Sequence, residues 1–186
     1  MKPNRNNGFS LIEVLVTIVI LLIGLLGLAG LQLRALSSQM ESYQRSQALI
    51  LLKDMAGRID NNRVNVASYI TTTPLGTGSA SCTATGAGSA ADLCEWSNAL
   101  LGAAETLTVG GITTNVGAMI GARGCIYQIT APAAGVPGQY LIAVAWQGLT
   151  PTTAPAVPCG QGSSNYGSSD ALRRVVTLPL SIAILN

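Results

Sequence analysis

From residue 9 to residue 33 the chain reads FSLIEVLVTIVILLIGLLGLAGLQL, an almost unbroken apolar run. At about 1.5 Å per residue, a helix of this length crosses the roughly 30 Å hydrocarbon core of a bilayer. One helix is thereby committed to lipid or to other helices, and the soluble core must come from the residues beyond it. The only charge in the run is Glu13, and a short basic, polar leader, MKPNRNNG, precedes it. A carboxylate inside an apolar span costs about 2.5–3.5 kcal/mol on insertion scales, so it persists where something pairs with it. A secretory signal peptide has a shorter apolar core with its small-residue cleavage site after it; here the small residue, Gly8, comes before a core that is too long.

The 186 residues leave room for this helix and one modest soluble domain. Charged residues make up only 10% of the chain, and loss of a leader carrying Lys2 and Arg5 would leave basic and acidic residues balanced at eight each. A surface without clustered Lys and Arg releases few counterions from phosphates, so nucleic acid is not expected as the main ligand. The chain has no histidine, which removes Ser-His-Asp and Cys-His catalysis, histidine zinc sites and histidine pH switches. No catalytic residue, cofactor site or metal site is expected.

All four cysteines, Cys82, Cys94, Cys125 and Cys159, lie beyond the apolar run, while the basic leader favours a cytoplasmic amino terminus. The soluble part is therefore expected in an oxidising compartment, with disulfides rather than zinc, since no Cys-x-x-Cys pair occurs. Three pairings are possible. The favoured one joins Cys82 to Cys94 as a local loop and Cys125 to Cys159 as a tie between a strand and a later loop.

Beyond Leu33 the proline-free stretch to Asn61 keeps Leu36, Met40 and Tyr43, then Leu52, Met55 and Ile59, at helical intervals. The helix is expected to continue to about Asn61, with the cluster at 48–52 meeting the soluble domain and Arg45, Lys53, Arg58 and Asp60 largely in solvent. Residues 71–91 are rich in small and turn-forming types and read as a surface loop pinned by Cys82. Residues 92–103 suit a short helix with Trp96 and Leu100 on one face, and TLTVGGITTNV carries a hairpin signal at Gly110-Gly111.

The clearest strands are CIYQIT, QYLIAVAW and RRVVTL. In the second, Tyr140, Ile142, Val144 and Trp146 share one face, and the small residues Ala143 and Ala145 on the other would let a helix lie close. Pro179 marks an edge strand or a strand end. A long loop, TPTTAPAVPCGQGSSNYGSSD, joins the last two strands; loops of that length are commonly functional or disordered, and Cys159 implies partial order. Arg173 and Arg174 point to opposite faces and read as solvated rim charges. Asp92 and Glu95 read as surface charge, and Trp96 and Trp146 as core.

The residues Gly8-Phe9-Ser10-Leu11-Ile12-Glu13 resemble the processing motif of type IV prepilins and type II secretion pseudopilins: a leader ending in Gly, then Phe, then Glu at the mature fifth position. The segment GLLGLAGLQ is similar to minor pilins of the PilV kind, the type IV pilus modification proteins. This resemblance implies an α+β, pilin-like fold, a long N-terminal transmembrane and amphipathic helix packed on an antiparallel β-sheet. It implies a leader at 1–8, a transmembrane, filament-core helix at 9–33, its amphipathic continuation at 34–61 and a disulfide-tied periplasmic domain at 62–186. A prepilin peptidase would cut between Gly8 and Phe9 and methylate the Phe9 amine. Glu13 would neutralise the Phe9 amine of a neighbouring subunit during docking; the competing reading is a polar residue close to the headgroups. Gly24, Gly27 and Gly30 lower helix propensity yet permit close backbone contact, so they read equally as helix-packing positions or as the part of the helix that can loosen in assembled pilins.

The implied partners are the peptidase, other major and minor pilins, the inner-membrane assembly platform and membrane lipid. The implied location is the inner membrane as a single-pass protein, and the pilus after assembly. A minor pilin that helps initiate or cap the filament would support twitching motility, adhesion or DNA uptake. A minor pseudopilin of a type II secretion system shares this anchor, although no Asp-rich cluster marks the calcium loop that major pseudopilins often carry. A plain membrane-anchored binding module or adhesin would explain the length of the apolar run but neither the Gly-Phe junction nor Glu13.

Overall fold

The structure is a computed structural model, and it describes residues 10–78, 86–103, 105–117 and 119–183. Helix α1 runs Leu11–Asn61, followed by a 3-10 segment at Arg63–Tyr69 and helix α2 at Ser89–Leu100. Among the described residues five strands follow, β1 Thr106–Val109, β2 Ile112–Asn115, β3 Arg123–Thr130, β4 Gly138–Gln147 and β5 Arg173–Ile182, with a 3-10 turn at Ser168–Asp170 before the last. This is an α+β, pilin-like architecture. The chain divides into two units, Met1–Met40 and Glu41–Asn186.

In the first unit α1 has apolar side chains on every face and no buried residue, and the helix is long and apolar enough to cross a membrane. With no polar face to turn outward, such a helix belongs in lipid or among other helices.

In the second unit α1 changes character. Gln44, Ala48, Leu52, Met55 and Ile59 are buried, at spacings of three and four that place them on one face. That face joins one cluster with Trp96 and Leu100 of α2 and with Ile126, Tyr140, Ile142, Val144 and Trp146 of the main sheet. The sheet is antiparallel in the order β3-β4-β5, and its register sets Ile126 against Ile142 and Val176 against Val144. Even-numbered residues of β4 therefore face the helices, as their alternation implies.

Glycine has a specific use at Gly124. A Cβ there would run into the ring of Trp96 and the Cδ1 of Leu100, so its absence lets α2 lie against β3. The outer edge of β3 is covered in turn: Thr71 N–H donates to Ile126 O at 3.0 Å, and Leu75 bridges to Gly124. Pro179 lies within β5, opposite Leu141, on the sheet's edge strand; its missing N–H costs the ladder nothing there. Strand β5 continues past it to Ile182.

The other face of the sheet corrects an expectation. Ala143 and Ala145 do not admit a helix; they pack with Cys125, Cys159 and Tyr166. Cys125 and Cys159 are joined, 34 residues apart in sequence. Small side chains make room for the loop between β4 and β5, which the disulfide draws onto the sheet. Tyr166 O–H anchors it further by donating to Gly121 O at 2.7 Å.

Candidate functional site

Glu13 lies in the first turn of α1. The turn opens at Ser10, whose carbonyl accepts from the N–H groups of Glu13 at 3.0 Å and Val14 at 3.3 Å. A carboxylate here is favoured by the unpaired N–H groups at a helix start. Among the described residues no hydrogen bond or ion pair holds its side chain, and the surrounding Leu11, Ile12 and Val14 are exposed. A Cβ added at Gly24, Gly27 or Gly30 would meet nothing within 4 Å, so these glycines answer to no contact among the described residues of their own chain. Gly8 and Phe9 lie outside the described residues.

In the second unit, polar side chains fasten the elements at several places, and three of these bear on the long loop and on α1. Where α1 enters this unit, Glu41 Oε1 accepts from Leu149 N–H at 3.2 Å, Thr150 Oγ1 at 3.1 Å and Arg174 at 3.4 Å. Burial acts to raise the Glu41 pKa, but the hydrogen bonds from Thr150 and Leu149 and the charge of Arg174 outweigh it and hold the carboxyl below its ordinary range. Arg174 also donates to Thr150 O at 2.5 Å and Thr152 Oγ1 at 2.7 Å.

At the far end of α1, Arg58 binds Asp54 at 3.0 Å, Asp92 at 3.2 Å and Glu95 at 2.6 Å. Burial works to lower the Arg58 pKa, yet Glu95 and Asp54 together drive it upward. Tyr69 donates to Asp92 and accepts from Asn62 at 3.1 Å. This network ties α1, the 3-10 segment and α2 into one corner.

The third fastening is Arg173, which is 1% exposed. It donates to the carbonyls of Pro155 at 2.8 Å, Val157 at 2.5 Å and Cys159 at 3.1 Å. Asp170 sits 3.5 Å from its Nε and accepts from Gly162 N–H at 3.0 Å. The guanidinium thus replaces a strand partner for one side of the loop.

Several sequence expectations change at these points. Arg173 and Arg174 do point to opposite faces, but they are not solvated rim charges: each gathers loop carbonyls or hydroxyls. Arg58, expected largely in solvent, is an ion-pair hub; Glu95 is at the surface as expected, and it and the partly buried Asp92 are partners of Arg58. Trp96 is fully buried, with its Nε1–H donating to Leu51 O at 3.0 Å, and Trp146 is 4% exposed. Cys94 is disulfide-bonded; its expected partner, Cys82, lies outside the described residues. Glu41 went unrecognised because its partners are more than 100 positions away, and no local pattern marks it. Among the described residues no group of three or more acidic, Cys or His side chains is arranged to hold a metal ion.

Comparison with known families gives two matches. Residues 3–29 match the prokaryotic N-terminal methylation motif, and residues 30–98 match the family described as type IV pilin Tt1218. No curated protein and no solved structure matches the chain.

Proposed function

Because the chain is a type IV prepilin-like protein, we propose that it is a minor pilin, processed by prepilin peptidase and incorporated into a type IV pilus, where it helps to start or cap the filament. Both matches are to a structural pilin and its methylation motif rather than to an enzyme family. A protein of this kind is membrane-anchored, cut by prepilin peptidase and assembled with other pilins. The minor role is supported by the likeness of GLLGLAGLQ to PilV-type minor pilins.

One observation carries the assembly reading. Glu13 is the lone charge of the apolar run at 9–33 and has no partner among the described residues of its own chain. Cleavage after Gly8 would create a cationic amine on Phe9. Between neighbouring subunits, the Glu13 carboxylate and that amine can neutralise each other, and in low dielectric a paired charge costs far less than a lone one. The pair then sets docking and register. The cytoplasmic amino terminus, periplasmic domain and contact with the inner-membrane assembly platform belong to the same proposal.

The test compares wild type with Glu13→Ala in sheared filament and membrane fractions, with the N-terminal peptide weighed in each. The variant should be cleaved and methylated at Phe9, remain in the membrane and be missing from filaments. Equal incorporation of both chains would refute the docking role. A mature chain that retains residues 1–8 whether or not the peptidase is present would leave an anchored module. If the chain enters only a type II secretion filament, it is a pseudopilin.

A further inference from the structure

At the end of the second unit remote from Glu41, three elements leave a cleft between them. Helix α1 enters the unit at Glu41 and ends at Asn61, about 30 Å further along its axis. The 3-10 segment that follows lays Val64, Val66 and Ala67 along one side of the cleft, and Tyr140 of β4 and Ile182 of β5 form the other. Its volume is about 340 Å³, within the range of sites for small molecules.

These walls are apolar, and one polar atom is trapped among them. Tyr140 is 2% exposed, and its hydroxyl has no hydrogen-bond partner among the described residues. A buried tyrosine hydroxyl normally finds one. Gly138 shows where this group lies: a Cβ there would stand 3.1 Å from the Tyr140 hydroxyl and 3.2 Å from the Cβ of Pro132, which lines the cleft. The glycine leaves room for the ring to carry its hydroxyl to the Pro132 wall. For packing alone, a phenylalanine would fill nearly the same volume.

The mouth of the cleft is cationic. Arg63 donates from Nε to Asp60 O at 3.3 Å and sets Nη2 3.4 Å from the Asp60 carboxylate. Its Nη1 is left without a partner among the described residues. The amide of Gln128, which the register sets opposite Tyr140, is likewise unengaged among them. No acidic side chain among the described residues lines the cleft.

We infer that the cleft binds a small aromatic carboxylate with a hydroxyl at the far end of its ring. The carboxylate is held by Arg63 and the Gln128 amide, the ring lies between Val66 and Ile182, and the Tyr140 hydroxyl meets the ring hydroxyl. A rigid ring suits the site because it fills apolar volume with few rotors to freeze. A guanidinium holds a carboxylate more strongly than it holds a neutral oxygen. The site lies wholly within the second unit, and the inference is independent of the pilin reading.

The test is methyl NMR at Val64, Val66 and Ile182 in the full chain in detergent, with three probes of one shape. These are para-coumarate, para-coumaryl alcohol, which lacks the carboxylate, and cinnamate, which lacks the ring hydroxyl. Coumarate should shift the three methyl sets saturably, and the alcohol should bind about tenfold and cinnamate about fivefold more weakly. Arg63→Gln should weaken coumarate to the level of the alcohol and leave the alcohol unchanged. Tyr140→Phe should weaken coumarate to the level of cinnamate and leave cinnamate unchanged. Unaltered methyl signals away from the cleft verify that each variant folds. Wild-type methyls that do not shift, or three probes that bind alike, overturn the inference. So does a coumarate affinity that either substitution leaves unchanged.

Discussion

Replacing Arg173 by methionine keeps most of the side-chain volume but deletes the charge that holds three loop carbonyls. Hydrogen bonds to a charged donor contribute about 1.5–3 kcal/mol each, although deletions within one network do not add. Cys159 is fully buried, whereas Pro155 and Val157 are partly exposed. One carbonyl is therefore stranded, and two can recover water. Asp170, 8% exposed, loses its countercharge as well. Breaking one side of a buried ion pair costs about 3–5 kcal/mol, and that range is the expectation here. For a unit of this size, about 2–4 °C per kcal/mol translates it into a Tm lower by about 6–20 °C. The assay is thermal unfolding of the full chain in detergent, followed by near-UV circular dichroism with the disulfides intact. Arg173→Lys should fall between the two, because one ammonium cannot reproduce the planar fork that spans Pro155 to Cys159. Hydrogen exchange should quicken at residues 152–162 and stay slow in β4. A methionine variant that melts within about 2 °C of wild type would refute the reasoning, because it would place the fork at less than about 1 kcal/mol.

Two further outcomes rest on the same geometry. The folded Glu41 carboxyl titrates below its unfolded value of 4.5; its stabilisation is therefore complete above that pH and disappears as pH falls through the lower, folded pKa. The stability gap between wild type and Glu41→Gln should be constant near neutrality and shrink below pH 4.5, as read from unfolding midpoints across pH; a gap that stays the same throughout the acidic range would contradict the assignment. Gly124→Ala forces a methyl into Trp96 and Leu100, with an expected loss of about 1–3 kcal/mol and a shift in tryptophan emission; unchanged melting and emission would mean that α2 and β3 have slack there.

Much of the fold could be read along the chain because its signals are local. The spacing of Ala48, Leu52, Met55 and Ile59 announces one helical face, Gly110-Gly111 announces a hairpin, and alternation in β4 announces which side chains meet the helices. Each depends on periodicities of 3.6 or 2 that neighbouring residues impose on one another. The 3-10 segment at Arg63–Tyr69 was not legible, since no such periodicity marks seven residues that merely cap a longer helix. The small face of β4 was misread for a related reason. Alanines at 143 and 145 say that something lies close but not what, and the answer came from Cys159, which is far off in sequence.

The match to the N-terminal methylation motif, the single charge at Glu13 within the apolar run and the length of that run are properties of contiguous residues, so the sequence by itself determined the likeness to prepilins. The tertiary structure alone decided the state of its arginines. A guanidinium on a strand reads as solvent-exposed until a distant loop brings carbonyls to it, as Pro155, Val157 and Cys159 are brought to Arg173 and Thr150 to Arg174. Charge pairing depends on distance in space, where a few ångströms separate a buried fork from a rim charge, and neither residue type nor local pattern encodes that distance.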